Sequence, residues 1–181
     1  MLVLGLVRNA MSWALSMYAK PWHTSPQMQA LPFSDFIRAP WDTRVDRARY
    51  FPDSATLGQV GQPLQHDRHP LTGEMFPNLF AMRTAKLRAL LSYSNRGCHF
   101  ALMQAEPLQS DAEATLQNLR TALHLPDPEG AFRPVHKRLG SKFKAAVDTR
   151  PEAPQSILAE DRDFILSQLD LTLERELGYT Y

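Results

Sequence analysis

Arg8 and Ser16 are the two residues whose types and spacing most directly suggest chemistry in this chain. Arg8 directly follows an apolar run of strand length, residues 2–7, and Asn9 can cap a helix that begins at the next residue. Ser16 lies eight residues after Arg8, on the same side of that helix as Ser12. A strand that ends in a cation and leads into a helix N-terminus is typical of anion-binding junctions in α/β proteins. An ordinary strand and helix, with Arg8 as a surface charge, fits the same pattern.

The segment Val-Arg-Asn-Ala, with Ser16 and Tyr18 behind it, resembles the 3′-phosphate-binding segment of sulfotransferases that use 3′-phosphoadenosine 5′-phosphosulfate. The resemblance implies that Arg8 and Ser16 hold the 3′-phosphate of this donor nucleotide. It also implies an activity, which is transfer of the sulfuryl group to a hydroxyl or amine of an acceptor. The acceptor would be a small molecule or a glycan, and its identity stays open.

Two later stretches resemble the same family and follow in the order expected for it. Residues 100–116 are similar to the strand, turn and helix of sulfotransferases, and Glu106 and Leu108 match the turn. Ala105 and Pro107 depart from the family, which usually has Tyr and Asp at these two positions of the turn. Residues 169–179 resemble the last helix of bacterial members. The resemblance depends on the order of the three stretches more than on any one of them.

A group of cations lies late in the chain, around a Gly-Ser pair. Its members are Arg133, His136, Lys137, Arg138, Lys142 and Lys144. Sulfotransferases have a late Arg-Lys-Gly loop that closes over the 3′-phosphate, and the resemblance makes Lys137, Arg138 and Gly140 its nearest counterparts. Several cations beside a glycine also suit an anion-binding nest on physical grounds alone. A solvated basic face next to acidic residues is the equally weighted alternative.

The family's loop for the 5′-phosphosulfate, which resembles Pro-Lys-Ser-Gly-Thr-Thr, has no counterpart in this sequence. The family's usual catalytic His also precedes the segment that matches here, so no catalytic residue is assigned. The resemblance therefore implies the C-terminal portion of a sulfotransferase, either a fragment or a degenerate paralogue, with little activity of its own. Two alternatives stay open: a non-catalytic remnant or partner-binding module, and another nucleotide-dependent transferase.

Composition limits the other function classes. The 181 residues fit one domain, 1–181, and the net charge of +1 argues against bulk attraction to nucleic acid or to a membrane surface. The single cysteine, Cys98, favours a reducing compartment, and no motif with metal-ligand spacing occurs. The apolar start is too short to span a bilayer and lacks the pattern of a signal peptide. We expect a cytoplasmic protein with no metal and no membrane span.

The pattern of elements predicts a helix-rich α/β fold, with a partial parallel sheet like that of P-loop nucleotide-binding proteins and flanking helices. Residues 20–76 are proline-rich, with room for short helices such as Ser34 to Arg38, and would shape the acceptor side. The pattern also predicts a helix from Pro77 to about Tyr93, a strand over 98–103, and a helix to His124 that is capped by the pair Ser110 and Glu113. A last helix is predicted over about 159–177, followed by Gly178. One face of this helix carries Ile165, Leu169, Leu173 and Leu177.

Two histidine segments and the first strand leave further possibilities open. The run 66–69 contains two histidines, and an imidazole there would serve as a general base, although a surface loop is the commoner reading. His23 follows the first helix, where a helix-dipole role and a catalytic role are equally compatible with its position. The continuous apolar run 2–7 predicts an interior strand of a parallel sheet. If its usual neighbour is missing, the bare edge favours self-association.

Overall fold

A computed structural model of the chain describes residues 1–135 and 142–181. The strands and α-helices in these ranges are β1 Leu2–Val7, α1 Ala10–Ala19, α2 Pro26–Gln29, α3 Phe33–Arg38, α4 Pro52–Thr56, α5 Leu79–Leu91, β2 His99–Gln104, α6 Ala105–Ser110, α7 Ala112–Ala122, α8 Ala159–Gln168 and α9 Leu171–Glu176. None of the helices in the described ranges is long and apolar enough to cross a membrane. The fold is mixed α/β, as predicted from the sequence.

The chain divides into two compact units. The strand unit comprises Met1–Asn9 and Tyr93–Lys142, and the helical unit comprises Ala10–Ser92 and Phe143–Tyr181. The sequence prediction of one domain over 1–181 stays a prediction.

The strand unit is built on β1 and β2, which pair in parallel. Leu2 lies opposite His99 at one end of the ladder, and Val7 lies opposite Gln104 at the other. Both strands were predicted, and β2 begins one residue later than expected. A Cβ on Gly5 would lie 2.9 Å from Leu102 Cδ1, so a larger residue at position 5 would require the Leu102 side chain to shift. The predicted relation of this sheet to P-loop folds stays a prediction.

One face of β1 is open to solvent, contrary to the expectation for an interior strand. Leu2, Leu4 and Leu6 are 39%, 48% and 53% exposed, whereas Gly5 and Val7 are buried. Within the described residues β1 has a paired neighbour, β2, on one edge alone. The apolar run therefore reflects a strand with one covered face, and its leucines form the exposed leucine face of β1.

The two helices after β2 begin differently from the sequence prediction. Ser110 is the last residue of α6, and its hydroxyl donates to the Pro107 carbonyl at 3.2 Å. The N-cap of α7 is Asp111, whose carboxylate accepts the N–H of Ala114 at 3.0 Å. The predicted cap at Ser110 was wrong because the neighbouring carboxylate is an equally good cap and lies one residue closer to the helix.

The core of the helical unit collects large side chains from α1, α3, α5 and α8. Ala10, Ala14 and Tyr18 form the buried face of α1, at a spacing of four residues. The Tyr18 ring meets Phe33 and Phe36 edge to face, with centroids 5.5 Å and 5.2 Å apart. Such edge-to-face pairs add to the stabilisation that comes from burying the ring area.

The proline-rich stretch 20–76 is irregular, as predicted, with α2, α3 and α4 as short helices. Helix α5, however, begins at Leu79 rather than at Pro77. The Asn78 side chain accepts the N–H groups of Phe80 and Ala81 at 2.9 Å and 3.0 Å, which makes Asn78 the N-cap. An Asn cap satisfies two backbone donors, and proline at the preceding position offers nothing comparable.

The predicted last helix over 159–177 is two helices, α8 and α9. Helix α8 ends at Gln168, and Leu169 has an extended backbone. The Asp170 carboxylate then accepts the N–H of Leu173 at 3.1 Å and caps α9. The predicted apolar face is confirmed, because Ile165, Leu169, Leu173 and Leu177 are all buried. Gly178 has φ of 83° after α9, a backbone conformation that suits glycine.

Candidate functional site

The junction after β1 is held by a carboxylate from α6, the helix that follows β2. Glu106 Oε1 accepts the backbone N–H of Asn9 at 2.8 Å, directly after Arg8. Arg8 itself is half-buried and follows Val7, the buried end of β1. Glu106 is the residue that matched the sulfotransferase turn, so in this unit the turn residue contacts the backbone next to the predicted phosphate ligand.

Helix α1 carries Ser16 on its exposed side, opposite the buried face of Ala14 and Tyr18. Ser12 is partly buried on the same helix. Arg8 belongs to the strand unit and Ser16 to the helical unit. Joint binding of one phosphate by Arg8 and Ser16 therefore stays a prediction.

The first N–H of α1 is already used within the helical unit. Ala10 N–H donates to the Tyr181 hydroxyl at 2.9 Å. That hydroxyl donates in turn to Glu174 Oε2 at 2.8 Å. Burial, followed by the hydrogen bond to Glu174 and its charge, raises the pKa of Tyr181 far above its ordinary value, although the Ala10 N–H opposes the shift. The Tyr181 hydroxyl is a donor at neutral pH, as an ordinary tyrosine is, and the raised pKa keeps it protonated in more alkaline solution.

A buried ion pair lies behind this hydroxyl. Arg83 donates to Glu174 through Nε at 2.7 Å and through Nη2 at 2.9 Å, and the two side chains are 3% and 2% exposed. The Arg83 guanidinium also lies over the Trp13 ring, 5.1 Å from its centroid. This network fixes the start of α1 and occupies the Ala10 N–H.

Three of the predicted ligands, Lys137, Arg138 and Gly140, lie outside the described residues. The flanking cations Arg133, Lys142 and Lys144 are exposed. The carbonyl of Lys144 accepts a hydrogen bond from Arg47 Nη2 at 2.6 Å.

The run 66–69 is part of the scaffold of the helical unit. Arg68 is 7% exposed and donates to the Trp41 carbonyl at 2.9 Å and to Asp42 Oδ1 at 3.1 Å. Asp67 pairs with Lys86. His69 Nδ1 accepts backbone N–H groups of the turn that follows it, at 3.3 Å and 3.4 Å. These contacts of Asp67, Arg68 and His69 are structural, and the general-base role of an imidazole in this run stays a prediction.

His23 is the residue that sequence reasoning left undecided and that the structure gives a partner. Its Nδ1 lies 2.8 Å from Asp46 Oδ1. The helix-dipole role falls to Arg150, whose guanidinium donates to the carbonyls of Tyr18 and Ala19 at the end of α1. No sequence signal singled out Asp46, because it lies 23 positions after His23, beyond the short helices α2 and α3.

Among the residues that the structure describes, no group of three or more His, Cys, Asp and Glu side chains could hold a metal ion. Comparison of the chain with protein-family models, curated proteins and solved structures finds no match. The functional assignment therefore depends on the residues of this chain and on the three stretches that resemble sulfotransferases.

Proposed function

We propose that this chain is a sulfotransferase-like protein that binds the 3′-phosphate of an adenosine 3′,5′-bisphosphate nucleotide at Arg8. The reaction of that class is sulfuryl transfer from 3′-phosphoadenosine 5′-phosphosulfate to an acceptor. The observation that supports the proposal best is the junction after β1: Arg8 follows a strand paired in parallel with β2, and Glu106 from beyond β2 holds the adjacent N–H at 2.8 Å. We also propose that the sheet of β1 and β2 is related to the parallel sheets of P-loop nucleotide-binding folds.

Arginine suits this role because its planar guanidinium matches two oxygens of a phosphate at once. The backbone N–H groups of Asn9 and Ala10 are committed to Glu106 and Tyr181. A phosphate would gain little from these two N–H groups, so its binding would depend on the Arg8 guanidinium.

Sulfuryl transfer makes a bond from the acceptor oxygen to sulfur while the bond from sulfur to the bridging phosphate oxygen breaks. The nucleotide keeps the electron pair of the broken bond, and the acceptor loses its proton to a base. Charge that develops on the bridging oxygen needs fixed donors, and losing one such donor typically costs about 10²- to 10³-fold in rate. Because the sequence has no Pro-Lys-Ser-Gly-Thr-Thr loop, we propose nucleotide binding with little turnover for residues 1–181.

Calorimetry with adenosine 3′,5′-bisphosphate and adenosine 5′-monophosphate tests the proposal. The bisphosphate should bind more tightly, and Arg8→Ala should weaken it about tenfold to a hundredfold, since a hydrogen bond to a charged group contributes about 1.5–3 kcal/mol. The matched control is Arg162→Ala, which removes the same charge from an exposed position on α8. Equal affinity for the two nucleotides, or an unchanged affinity in Arg8→Ala, would refute the proposal.

A further inference from the structure

A cleft of about 340 Å³ lies beside α9, within the helical unit. Small-molecule sites span about 300–1,000 Å³, so this cleft has the volume for a small ligand. Its walls come from three places: Leu166 on α8, Leu171 and Arg175 on α9, and residues 179–181 after α9. Leu171 and Arg175 are four residues apart and therefore lie on the same face of their helix. We call the space between these residues the α9 cleft.

The turn after α9 fixes the third wall of the cleft. The Gly178 N–H donates to the Arg175 carbonyl at 2.9 Å, and the Tyr179 N–H donates to the Glu174 carbonyl at 2.9 Å. These two hydrogen bonds, with a glycine at positive φ, form the Schellman motif that ends many helices. Because the turn is hydrogen-bonded and Tyr179 is 7% exposed, the wall formed by residues 179–181 is preformed.

The Tyr181 ring lines the cleft, but its hydroxyl is committed to the scaffold. The hydroxyl accepts the Ala10 N–H at 2.9 Å and donates to Glu174 Oε2 at 2.8 Å. A tyrosine hydroxyl has one proton to donate, so an acceptor group on a ligand needs another donor. The Arg175 guanidinium and the Thr180 hydroxyl, which also line the cleft, are donors of this kind.

The Arg175 guanidinium is only weakly engaged by its own helix. Nε donates to the Leu171 carbonyl at 3.2 Å, and Nη2 donates to the Thr172 hydroxyl at 3.3 Å. Both bonds are long and both acceptors are neutral. Within residues 1–135 and 142–181, no carboxylate pairs with this guanidinium. Several of its five N–H donors therefore remain for a ligand.

The carboxylates nearby do not neutralise the charge of Arg175. Asp170 and Glu174 are each paired with another arginine of the helical unit, at 2.7 Å. Glu176 is exposed, and it is the next residue on the helix, a spacing at which side chains do not face each other. The cleft consequently presents one uncompensated positive charge.

Apolar walls with one positive charge define the chemistry of the ligand. A planar guanidinium matches the two oxygens of a carboxylate, which carries a single negative charge at neutral pH. A phosphate monoester carries a charge of about −1.5 to −2, more than one arginine balances. The leucine side chains suit an apolar body, and the tyrosine rings favour an aromatic one through edge-to-face contacts.

We propose that the α9 cleft binds a small aryl carboxylate. Its ring packs against Leu166 and Leu171, and its carboxylate accepts hydrogen bonds from Arg175. The inference does not rest on the proposed nucleotide binding, because Arg8 is not part of the cleft.

The test is an NMR titration of protein labelled with ¹³C at the leucine methyl groups, with 4-ethylbenzoate and 4-ethylbenzamide as probes. The two probes have the same ring, but the amide carries no charge. The benzoate should bind about three- to tenfold more tightly, as expected for an ion pair at a partly exposed site. The largest methyl shifts should occur at Leu166 and Leu171. Equal affinities, or shifts confined to other leucines, would overturn the inference.

Arg175→Gln separates the charge from the packing. The variant keeps a polar side chain on an exposed position of α9, and it should lose the preference for the benzoate while still binding the benzamide. Arg162→Gln is the matched control, since it removes the same charge from an exposed position of α8 that does not line the cleft. A preference that survives in Arg175→Gln, or that also disappears in Arg162→Gln, would overturn the inference.

Leu171→Ala tests the apolar wall. Leu171 is 46% exposed, so its truncation should leave the fold intact and weaken both probes by a similar factor, about three- to tenfold. Leu158→Ala is the control, because Leu158 is 59% exposed and does not line the cleft. Unchanged affinities in Leu171→Ala, or an equal loss in Leu158→Ala, would contradict the proposed binding mode.

The same titration with Arg8→Ala distinguishes this site from the proposed nucleotide site. The variant should bind 4-ethylbenzoate as the wild type does, even though its affinity for adenosine 3′,5′-bisphosphate falls. Loss of the benzoate preference in Arg8→Ala would place the carboxylate at Arg8 and overturn the inference. Equal binding of the two nucleotides by the wild type would refute the proposed function and leave the α9 cleft standing.

Discussion

The helical unit and the strand unit differ in how they bury their side chains. In the helical unit Tyr18, Phe36 and Trp41 are at most 1% exposed, and they pack against one another edge to face. In the strand unit α7 has no buried residue, and the leucines of β1 face solvent. A pair of strands alone is marginally stable in water, so the strand unit depends more on its backbone ladder and less on a core. The difference shows that the predicted phosphate ligand, Arg8, lies in the less densely packed unit.

This arrangement has a consequence for ligand binding. Regions with few buried apolar contacts open more readily, and binding sites are commonly drawn from such regions. A nucleotide bound at Arg8 would stabilise the strand unit by mass action, to an extent set by its concentration relative to its dissociation constant.

The largest difference between the units should appear in the unfolding free energy that is lost when one partner of an ion pair is removed. Glu174→Ala leaves Arg83 buried without its carboxylate, and removing one partner of a buried pair typically costs about 3–5 kcal/mol of unfolding free energy. Asp127→Ala in the strand unit breaks the pair with Arg120, but Asp127 is 96% exposed, so no measurable loss is expected. Urea unfolding of both variants provides the measurement. Similar losses in the two variants would contradict the contrast between the units.

Truncation of apolar side chains should show the same contrast between the two units, with somewhat smaller losses of unfolding free energy. Leu79 is fully buried in the helical unit, and Leu4 on β1 is 48% exposed. Leu79→Ala should lower the free energy of unfolding by about 2–5 kcal/mol, whereas Leu4→Ala should change it by no more than about 0.5 kcal/mol. Thermal and urea unfolding report both values. An equal cost at the two leucines would mean that β1 is covered in solution.

Acid should weaken the helical unit through Asp42. Burial alone would raise the pKa of this carboxyl, but hydrogen bonds from Arg68, Ser25 and Arg44 outweigh it and lower the pKa. The folded state then binds this proton less readily than the unfolded state, so the stabilisation is present above the ordinary carboxyl pKa, about 4, and is lost as the pH falls through the lowered value.

Asp42→Asn should therefore reduce stability at neutral pH and flatten the fall of stability below about pH 4. Urea unfolding between neutral and acid pH measures this slope, with Asp163→Asn, an exposed carboxylate of α8, as the control. A variant whose acid dependence matches that of the wild type would show that Asp42 does not carry the effect.

The elements that local pattern controls were predictable, and the long-range pairings were not. The apolar run 2–7 predicts β1, and the four-residue spacing from Ile165 to Leu177 predicts the buried face of the last two helices. That spacing continues unbroken through Leu169, so it could not reveal that Asp170 caps a new helix. The pairing of His23 with Asp46 depends on a bridge between two irregular segments, where no periodicity exists to be read.

The smallest expected effect concerns the exposed leucine face of β1. Its apolar side chains and unpaired edge, within the part of the chain that the structure describes, favour weak pairing with a second copy. Light scattering during size-exclusion chromatography should show a mass that rises with concentration, and Leu4→Lys should return it to the monomer value, because a charge on the edge strand opposes pairing. Leu57→Lys is the control, since Leu57 is 73% exposed in the helical unit, away from β1 in sequence. A monomer at every concentration in the wild type would show that β1 tolerates its open face without self-association.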